Sequence, residues 1–388
     1  MALFAIAKPK AHSLTGRITQ PLLLAAFKAV KRNRGAAGID KVSIKMFEAN
    51  LSQNLLALER DLKSGSFEPL PLRRKYIDKG GGKLRPLGIP AVRDRIAHEV
   101  ARRLLHPIFE PLFHEASYGF RPGRNCHQAL EQIIKHHEEG YRVVLDADIV
   151  GFFDNLSHRL IKEAVAAQVA DGNILNLIEK FLRAGVMEEG VFKPTTMGTP
   201  QGGVISPLLA NIVLNYLDWQ LDKLGYRFVR YADDFVVLCQ TKAQAEEAKT
   251  QVTRLLAELG LTLSAEKTRI TTYGKGYSFL GFVMSSWSRR MRPKSEQKFR
   301  ERVRDLTVRS HNLDAQLIEK LNRVIRGTAN YFATRWSTNR RKFRHLDAWI
   351  RRRLRCVKYK RFSYHDNHRL RRKQFDRLGL LSLESFCP

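Results

Sequence analysis

The stretch Tyr231-Ala232-Asp233-Asp234-Phe235 sets two adjacent carboxylates between the apolar runs 226–230 and 235–239. This pattern predicts a tight β-hairpin whose tip exposes the acids while both strands stay buried. Mg²⁺ prefers a few hard oxygen ligands and keeps other positions open for substrate phosphates. The tip is therefore a candidate metal site, although the pentapeptide alone also fits an ordinary solvated turn.

A second source of carboxylates lies upstream, in Val143–Asp154, which reads as a buried strand ending in an acid and then a turn into a helix. Acids from the two strand ends could hold two Mg²⁺ ions about 3.5–4 Å apart for in-line attack on a nucleoside triphosphate. Asp148 is the preferred ligand from the first strand. Asp146 lies on the same strand face and competes with it. Asp154 is expected to cap the helix or to pair with His158.

Composition indicates a folded protein with a polyanionic partner. At 388 residues and 44% hydrophobic content, the chain can bury a large core and form two or three domains. The net charge is +30, and residues 291–388 contribute +18 of it. This imbalance predicts a localised nucleic-acid footprint, with a basic solvated surface or an anionic membrane as the alternative.

The cysteines and the N-terminal residues lead us to expect a cytoplasmic protein. The four cysteines are scattered without a C-x-x-C pair, so neither a disulfide framework nor a zinc module is expected. The apolar stretch in residues 1–10 is too short for a signal peptide, and no run approaches the roughly 18 apolar residues of a membrane span. We expect a reduced, cytoplasmic protein without a membrane partner.

Along the chain the periodicity predicts an α+β fold. Residues 1–65 read as a helical N-terminal extension, broken into helices over Gln20–Lys31 and Val42–Leu62. A hairpin surrounds the basic glycine loop Lys79–Lys83, which lacks P-loop spacing. A further helix is predicted over Cys126–Glu138. A second glycine-rich turn, Gly198–Pro207, leads into a helix that supports the Asp-Asp hairpin.

Taken in order, the motifs resemble the reverse transcriptases of bacterial group II introns and their free-standing relatives. The resemblance covers residues 33–361. The matching blocks are Leu84–Pro90, Ser117–Arg124, Asp146–His158, Gly198–Asn211, Tyr231–Phe235, Leu261–Lys267 and Phe279–Phe282.

The resemblance implies a right-hand polymerase, with fingers and palm built from an antiparallel sheet plus helices and with an all-α thumb. Fingers and palm would occupy residues 66–290, the fingers mainly 66–140 and the palm mainly 141–290. The thumb, called the maturase or X domain, would occupy residues 291–365. A short basic tail would follow over residues 366–388.

The resemblance also assigns site residues. Asp148, Asp233 and Asp234 would form the metal-binding triad for two Mg²⁺ ions, with Mn²⁺ as a substitute. Lys79 and Arg85 on the fingers hairpin would grip the incoming triphosphate.

Three further residues have implied roles at the nucleotide. Gln201 would contact nucleotide and template. Phe153 matches the bulky gate that crowds a ribose 2′-hydroxyl and favours dNTPs, with a core aromatic beside Phe152 as the alternative. Lys267 matches the candidate general acid for the pyrophosphate leaving group, with simple phosphate steering as the alternative.

Arginines in the basic loop and the thumb are the candidate nucleic-acid contacts. In the family the thumb tracks the template–primer minor groove and helps to bind intron RNA. Phosphate contacts would give affinity that is independent of sequence and sensitive to salt. The candidates are Arg121, Arg124, Arg323, Arg326, Arg351, Arg352 and Arg353.

Two departures from the family pattern matter. The sequence ends soon after the thumb, without the DNA-binding and zinc-bearing endonuclease segments of many intron-encoded members, so the resemblance does not imply independent retrohoming. A short intron type, a CRISPR-linked enzyme and a phage-defence enzyme stay open. Ile96–Glu99 follows Asp94-Arg95 where family members commonly carry glutamine, so that helix is expected to meet RNA differently.

The sequence thus predicts an RNA-directed DNA polymerase that extends a DNA or RNA primer with dNTPs on an RNA template. Its partners would include a structured intron or non-coding RNA, and a protein partner or oligomer. One alternative is a maturase that binds and folds intron RNA without polymerising. An RNA-dependent RNA polymerase would carry a smaller or polar residue at position 153.

Overall fold

The computed structural model describes residues 3–4, 9–78, 84–188, 190–199 and 202–388. The chain divides into two compact units, Met1–Ile270 and Thr271–Pro388. Both units combine helices with sheet, and the sheets are largely antiparallel, so the predicted α+β class is confirmed. Among the described residues, none of the helices has the length and apolar character needed to cross a membrane.

The first unit contains ten α-helices within its described residues. They are α1 (Gln20–Arg32), α2 (Ile44–Ala49), α3 (Leu51–Ser64), α4 (Val92–Phe109), α5 (Cys126–Glu138), α6 (Phe152–Asn155), α7 (His158–Ala166), α8 (Gly172–Arg183), α9 (Ser206–Lys223) and α10 (Lys242–Glu258). The predicted bounds of α5 are confirmed, because a capping box between Asn125 and Gln128 fixes its start. The predicted helix over residues 42–62 breaks at Asn50, whose φ of −122° and ψ of 41° are not helical.

Two four-stranded sheets accompany these helices. The strands are β1 (Leu72–Asp78), β2 (Leu84–Ile89), β3 (Val143–Ala147), β4 (Val186–Glu188), β5 (Val191–Lys193), β6 (Arg227–Tyr231), β7 (Asp234–Cys239) and β8 (Arg269–Thr272), whose first two residues end this unit. One sheet has the order β2-β1-β4-β5 and the other β6-β7-β3-β8. In the first, β1 pairs antiparallel with β2 and parallel with β4.

A continuous hydrophobic core supports the second of these sheets. Inward residues of β3, β6 and β7 pack with α4, α7, α9 and α10. Helix α8 also packs into this core. Its apolar residues recur at three- and four-residue spacing and form a single buried face. Fixing the strands of this sheet in a packed interior gives the carboxylates at its edge a defined position.

The prediction that Asp154 caps a helix or pairs with His158 is wrong. Asp154 lies inside the short helix α6 and is exposed. Ser157 occupies the N-cap position of α7. The imidazole Nε2 of His158 instead donates a hydrogen bond to the Gly198 carbonyl at 2.7 Å.

The second unit begins with strands β9 (Tyr277–Phe279), β10 (Phe282–Met284) and β11 (Arg289–Met291), which form an antiparallel sheet in the order β11-β10-β9. Five α-helices follow, namely α11 (Pro293–Leu306), α12 (Ala315–Phe332), α13 (Arg340–Tyr359), α14 (Asp366–Arg369) and α15 (Arg372–Arg377). The domain boundary proposed from the sequence at residues 290/291 stays a prediction.

The end of the chain is fastened to the helices of the second unit. Buried Asp347 on α13 accepts hydrogen bonds from the Leu383 amide at 2.8 Å and the Glu384 amide at 3.0 Å. The Asn322 side chain on α12 pairs with the backbone of Gly379 and Leu381. Residues 379–388 are therefore part of the packed structure of this unit.

Candidate active site

The hairpin between β6 and β7 holds the two adjacent acids. Tyr231 pairs with Asp234, which leaves Ala232 and Asp233 as a two-residue loop. Ala232 has a φ of +59°, a left-handed conformation that costs a non-glycine residue about 1–2 kcal/mol. Asp234 is exposed and Asp233 is half-buried, while the strand residues behind them are buried. The predicted hairpin with acids at its tip is confirmed.

Strand β3 brings the third acid to the same edge. Its antiparallel pairing with β7 ends at Ala147 opposite Phe235. Asp148 is the next residue after this pair, and the charges of Asp148 and Asp234 both act on the Lys267 ammonium. The sheet thus brings together two acids, Asp148 and Asp233, that are 85 residues apart in the sequence.

Asp148 is held by the segment that precedes β8. Its carbonyl accepts from the Ser264 amide at 2.7 Å, and its amide donates to the Thr268 hydroxyl at 3.3 Å. Its carboxylate Oδ2 lies 2.9 Å from Lys267 Nζ. That hydrogen bond, together with the charges of Asp148 and Asp234, raises the pKa of Lys267 above its ordinary value. The ammonium shows that this edge of the sheet attracts a cation.

Asp146 has a different environment. Its Oδ2 accepts from the Arg269 guanidinium at 3.2 Å. Burial is the main cause that raises its pKa above the ordinary range, and the guanidinium opposes this effect. Asp146 is thus paired with an arginine of the same chain that is always charged. The Asp148 side chain is 30% exposed and is paired with a flexible lysine. This contrast favours Asp148 over Asp146 as a ligand.

The donor set of the acidic edge fits Mg²⁺ in part. Carboxylates on adjacent strand ends supply hard oxygens, and Mg²⁺ completes its shell with water and substrate phosphates. Within the residues that the structure describes, however, no group of three or more His, Cys, Asp or Glu side chains is assembled to hold a metal ion by itself.

A buried ion pair supports the turn from below. The Arg230 side chain is fully buried, and its guanidinium donates to both carboxylate oxygens of Asp218 on α9, at 2.7 and 2.5 Å. Its Nη1 also donates to the Asn211 side chain and to the Ala232 carbonyl, both at 2.9 Å. One guanidinium thus ties α9 to the acidic turn.

Gly119 completes this support, and the sequence motifs did not predict its role. Asn211 Nδ2 donates to the Gly119 carbonyl at 2.9 Å, which brings the loop 117–124 beneath the turn. A Cβ at Gly119 would lie 2.3 Å from the Ala232 amide nitrogen and 2.9 Å from the Tyr231 carbonyl carbon. Only glycine lets the two backbones approach this closely.

The structure describes only some of the predicted nucleotide-binding residues. Lys79 and Gln201 lie outside the described residues. Arg85 is on β2, opposite Ile77 of β1. Beside Gln201, a Cβ at Gly202 would lie 2.2 Å from the Gly88 carbonyl oxygen, so this turn passes directly against the fingers hairpin. The second glycine-rich turn therefore contacts strand β2 of that hairpin at Gly88.

Phe153 lies on helix α6, five residues after Asp148 in the sequence. Its ring is half-buried and packs edge-on against buried Phe152, with ring centroids 5.1 Å apart. Its carbonyl accepts from the Thr199 amide at 2.7 Å. The ring therefore belongs partly to the core and partly to the surface, an arrangement that accommodates both readings made from the sequence.

The candidate nucleic-acid arginines fall into two groups. Arg121 is buried and donates to Glu110 at 2.9 Å and to two loop carbonyls. Arg353 donates to the hydroxyl and carbonyl of Thr307 at 3.0 and 2.6 Å. These two guanidinium groups organise the protein itself. Arg351 is half-buried, and burial lowers its pKa.

Three of the remaining candidates present charge outward. Arg323, Arg326 and Arg352 are exposed on α12 and α13. Arg124 is half-buried and stacks over the Tyr118 ring at 5.3 Å.

The atypical segment of α4 is part of the core. Ile96–Glu99 is buried throughout. The His98 ring packs edge-on against Phe181 with centroids 4.2 Å apart, and burial lowers its pKa to about 3. These side chains face the interior, and the expectation that this helix meets RNA differently stays a prediction.

Comparison with known proteins is consistent with this site. Residues 77–284 match the family described as reverse transcriptase (RNA-dependent DNA polymerase). The chain belongs to the reverse transcriptase family. In the same chain, residues 296–377 also match the maturase-specific domain of group II introns. The resemblance drawn from the motifs is thereby confirmed.

Relatives of this chain include a bacterial protein and an intron-encoded protein. It is 38% identical over 307 residues to protein YkfC of Escherichia coli (strain K12), covering 68% of this chain and 80% of that protein. It is 38% identical over 212 residues to the group II intron-encoded protein LtrA of Lactococcus lactis subsp. cremoris, covering 54% of this chain and 34% of that protein. A solved telomerase from Candida albicans aligns with a TM-score of 0.46 and 12% identity, over 82% of this chain and 64% of that one.

Proposed function

We propose that this chain is an RNA-directed DNA polymerase that extends a DNA or RNA primer with dNTPs on an RNA template by two-Mg²⁺ nucleotidyl transfer. One observation carries the proposal: the β3–β7 register brings Asp148 to the Asp233-Asp234 turn, inside a segment that matches reverse transcriptases. The buried Arg230–Asp218 pair supports it, because such a costly element beneath the turn makes sense where position matters.

Asp148, Asp233 and Asp234 would hold Mg²⁺. When bound, the ions activate the primer 3′-hydroxyl and stabilise charge that develops on the triphosphate. The protein's own contribution is a rigid edge: the Arg230 guanidinium and the close approach of Gly119 keep the turn in its left-handed conformation. Reacting groups held in one geometry avoid much of the entropic part of the barrier.

Lys267 would donate a proton to the pyrophosphate leaving group. Its hydrogen bond to Asp148 is the main cause of its raised pKa, so the side chain stays protonated before the nucleotide arrives. Once the Asp148 carboxylate turns to another partner, this stabilisation of the ammonium is lost. Lys267, with its side chain 67% exposed, then becomes a better proton donor to pyrophosphate.

The proposal is tested by primer extension on an RNA template with Mg²⁺ and Asp233→Asn. The substitution removes one negative charge at the tip of a turn and leaves the core intact, so DNA synthesis should be lost while RNA affinity stays near the wild-type value. Asp305→Asn, at an exposed carboxylate on α11, is the matched control and should retain synthesis. Equal synthesis by wild type and Asp233→Asn would refute the proposal.

Phe153→Ala tests the proposed gate separately. Removing the half-buried ring should open space beside the ribose and raise incorporation of rNTPs relative to dNTPs. The measurement is the ratio of the two kcat/KM values on one primer–template. If that ratio does not change, Phe153 is a core residue only.

A second candidate function is supported by residues 296–377, which match the maturase-specific domain. The chain would then bind and fold intron RNA as a splicing cofactor without essential polymerase activity. Exposed arginines on α12 and α13 supply charge for phosphate contacts in either case. Tight RNA binding without synthesis from any nucleotide in the same assay would favour this second function.

A further inference from the structure

The hairpin that joins β10 to β11 carries an unusual residue at its tip. Trp287 is 87% exposed, more than any other large hydrophobic side chain among the described residues. It lies between the two matched segments, which end at residue 284 and begin at residue 296. A tryptophan left so fully in water gains nothing from the core, and large amphipathic aromatics on a surface are typical of recognition sites.

The backbone beneath Trp287 is held by a dense set of hydrogen bonds. The Ser285 amide donates to the Ser288 carbonyl at 2.9 Å, and the Ser288 amide donates to the Ser285 hydroxyl at 3.0 Å. The Arg289 backbone bonds in both directions with Thr338, at 2.8 and 3.1 Å. The ring is thus mounted on an ordered base, which lowers the entropy lost on binding.

A second turn lies against this hairpin. The Ser286 amide donates to the Tyr273 carbonyl at 3.1 Å. A Cβ at Gly276 would lie 3.2 Å from the Ser285 Cβ, so the two turns are in close contact. Lys275 in the second turn is exposed. The two turns together form one surface, which we call the tryptophan tip and define as residues 272–276 and 285–290.

The charge around the tip is of one sign. Residues 271–292 contain four cations, Lys275, Arg289, Arg290 and Arg292, and no Asp or Glu. An aromatic plane flanked by cations without competing acids matches a ligand with both negative charge and π-faces. Nucleic acid has both properties, whereas an apolar protein surface lacks the negative charge.

We propose that Trp287 stacks on an unpaired base of bound RNA, while the neighbouring cations of the tryptophan tip contact the flanking phosphates. Paired bases are already stacked within a duplex, so the contact selects single-stranded segments, loops or ends. This inference rests on the proposed function in so far as RNA is the polyanion that the chain binds. It deepens that function by naming a contact for unpaired bases outside the matched segments.

The test measures binding of a labelled single-stranded oligoribonucleotide to the full chain by fluorescence anisotropy, without dNTPs or Mg²⁺. Base stacking is worth about 1–3 kcal/mol, so Trp287→Ala should raise Kd about 5- to 150-fold. Trp287→Phe should retain most of the affinity, and Trp287→Leu should bind like the alanine variant. Leu378→Ala, at another exposed apolar side chain of the same unit, is the matched control and should bind normally.

Two further measurements separate stacking from charge and from folding. A blunt RNA duplex with the same number of phosphates should bind wild type and Trp287→Ala equally. Arg290→Gln should reduce the dependence of log Kd on log salt by about 0.7, while Trp287→Ala should leave that slope unchanged. Thermal unfolding should be the same for all variants, because the substituted side chains are exposed.

Several results would overturn the inference. An unchanged Kd for Trp287→Ala, an equal loss on the duplex, or full rescue by leucine would each exclude stacking. Binding to anionic phospholipid vesicles that depends on Trp287, with RNA binding unaffected, would assign the tryptophan tip to a membrane surface instead. Because no step of the assay needs synthesis, a chain that fails to polymerise yet loses RNA affinity in Trp287→Ala would refute the proposed function alone.

Discussion

Gly119→Ala tests whether the acidic turn is held by a close backbone approach. The loop 117–124 passes under the turn, and Asn211 fixes it there through the Gly119 carbonyl. Gly119 does not have a positive φ, so alanine is compatible with its own backbone conformation. Any effect of this substitution therefore comes from the contact between its Cβ and the turn.

The size of the perturbation follows from the distances. The new Cβ would lie 2.3 Å from the Ala232 nitrogen, whereas ordinary Cβ contacts begin near 3.4 Å. The turn or the loop must therefore move by about 1 Å, and overpacking of this kind costs about 1–3 kcal/mol of unfolding free energy. Misplacement of a reacting group by 1 Å lowers the rate about 10²-fold. We expect a loss of this order in DNA synthesis, with RNA affinity unchanged.

Single-turnover primer extension measures the rate directly, and urea unfolding measures the stability. Gly172→Ala is the matched control, because nothing lies within 4 Å of its Cβ position and its φ is not positive. It should leave rate and stability near the wild-type values. A Gly119→Ala enzyme with the wild-type rate would show that the position of the turn does not depend on this contact.

Two further predictions concern stability. Asp218→Asn leaves the fully buried Arg230 guanidinium without its ionic partner and should lower the unfolding free energy by about 3–5 kcal/mol in urea, whereas Arg159→Ala, which breaks an exposed pair with Glu163, should cost less than about 1 kcal/mol. The pKa of His98 is lowered from 6.5 to about 3 by burial, so the imidazole gains its proton only on unfolding as the pH falls. Stability should therefore be lost progressively from about pH 6.5 towards pH 3, by at most about 5 kcal/mol, and His98→Gln should lose correspondingly less. Parallel pH profiles for the two proteins would contradict the second expectation.

Local patterns predicted the elements that carry the acids. The two apolar runs around Asp233-Asp234 are buried strands because alternating and continuous apolar residues need a packed face. Helix α5 was predicted with its observed ends, since its capping residues are neighbours in the sequence. The break at Asn50 was missed, because the apolar periodicity on its two sides continues almost unchanged.

The support beneath the turn could not be predicted in the same way. Arg230 lies on β6, whereas Asp218 and Asn211 lie on α9, and the contacts between them exist only after the chain has folded. A signal was nevertheless present, because each is a polar residue with apolar neighbours on both sides in the sequence. A buried polar group must find partners, so polar residues at such positions point to one another. Gly119 carried no comparable signal, since its requirement comes from a contact distant in sequence.

Composition does not show which charged side chains face the solvent and which are bonded inside the protein. The sequence counts Arg121 and Arg353 with the candidate RNA contacts, yet both guanidinium groups are consumed by hydrogen bonds inside the protein. An arginine that already donates to buried carbonyls would have to break those bonds to reach a phosphate, and each broken bond costs about 1 kcal/mol or more. The number of phosphates contacted, and hence the salt dependence of binding, should therefore be smaller than the net charge of +30 suggests. The tryptophan tip illustrates the converse, because few charges beside an exposed ring on an ordered base can define a site better than many charges spread along helices.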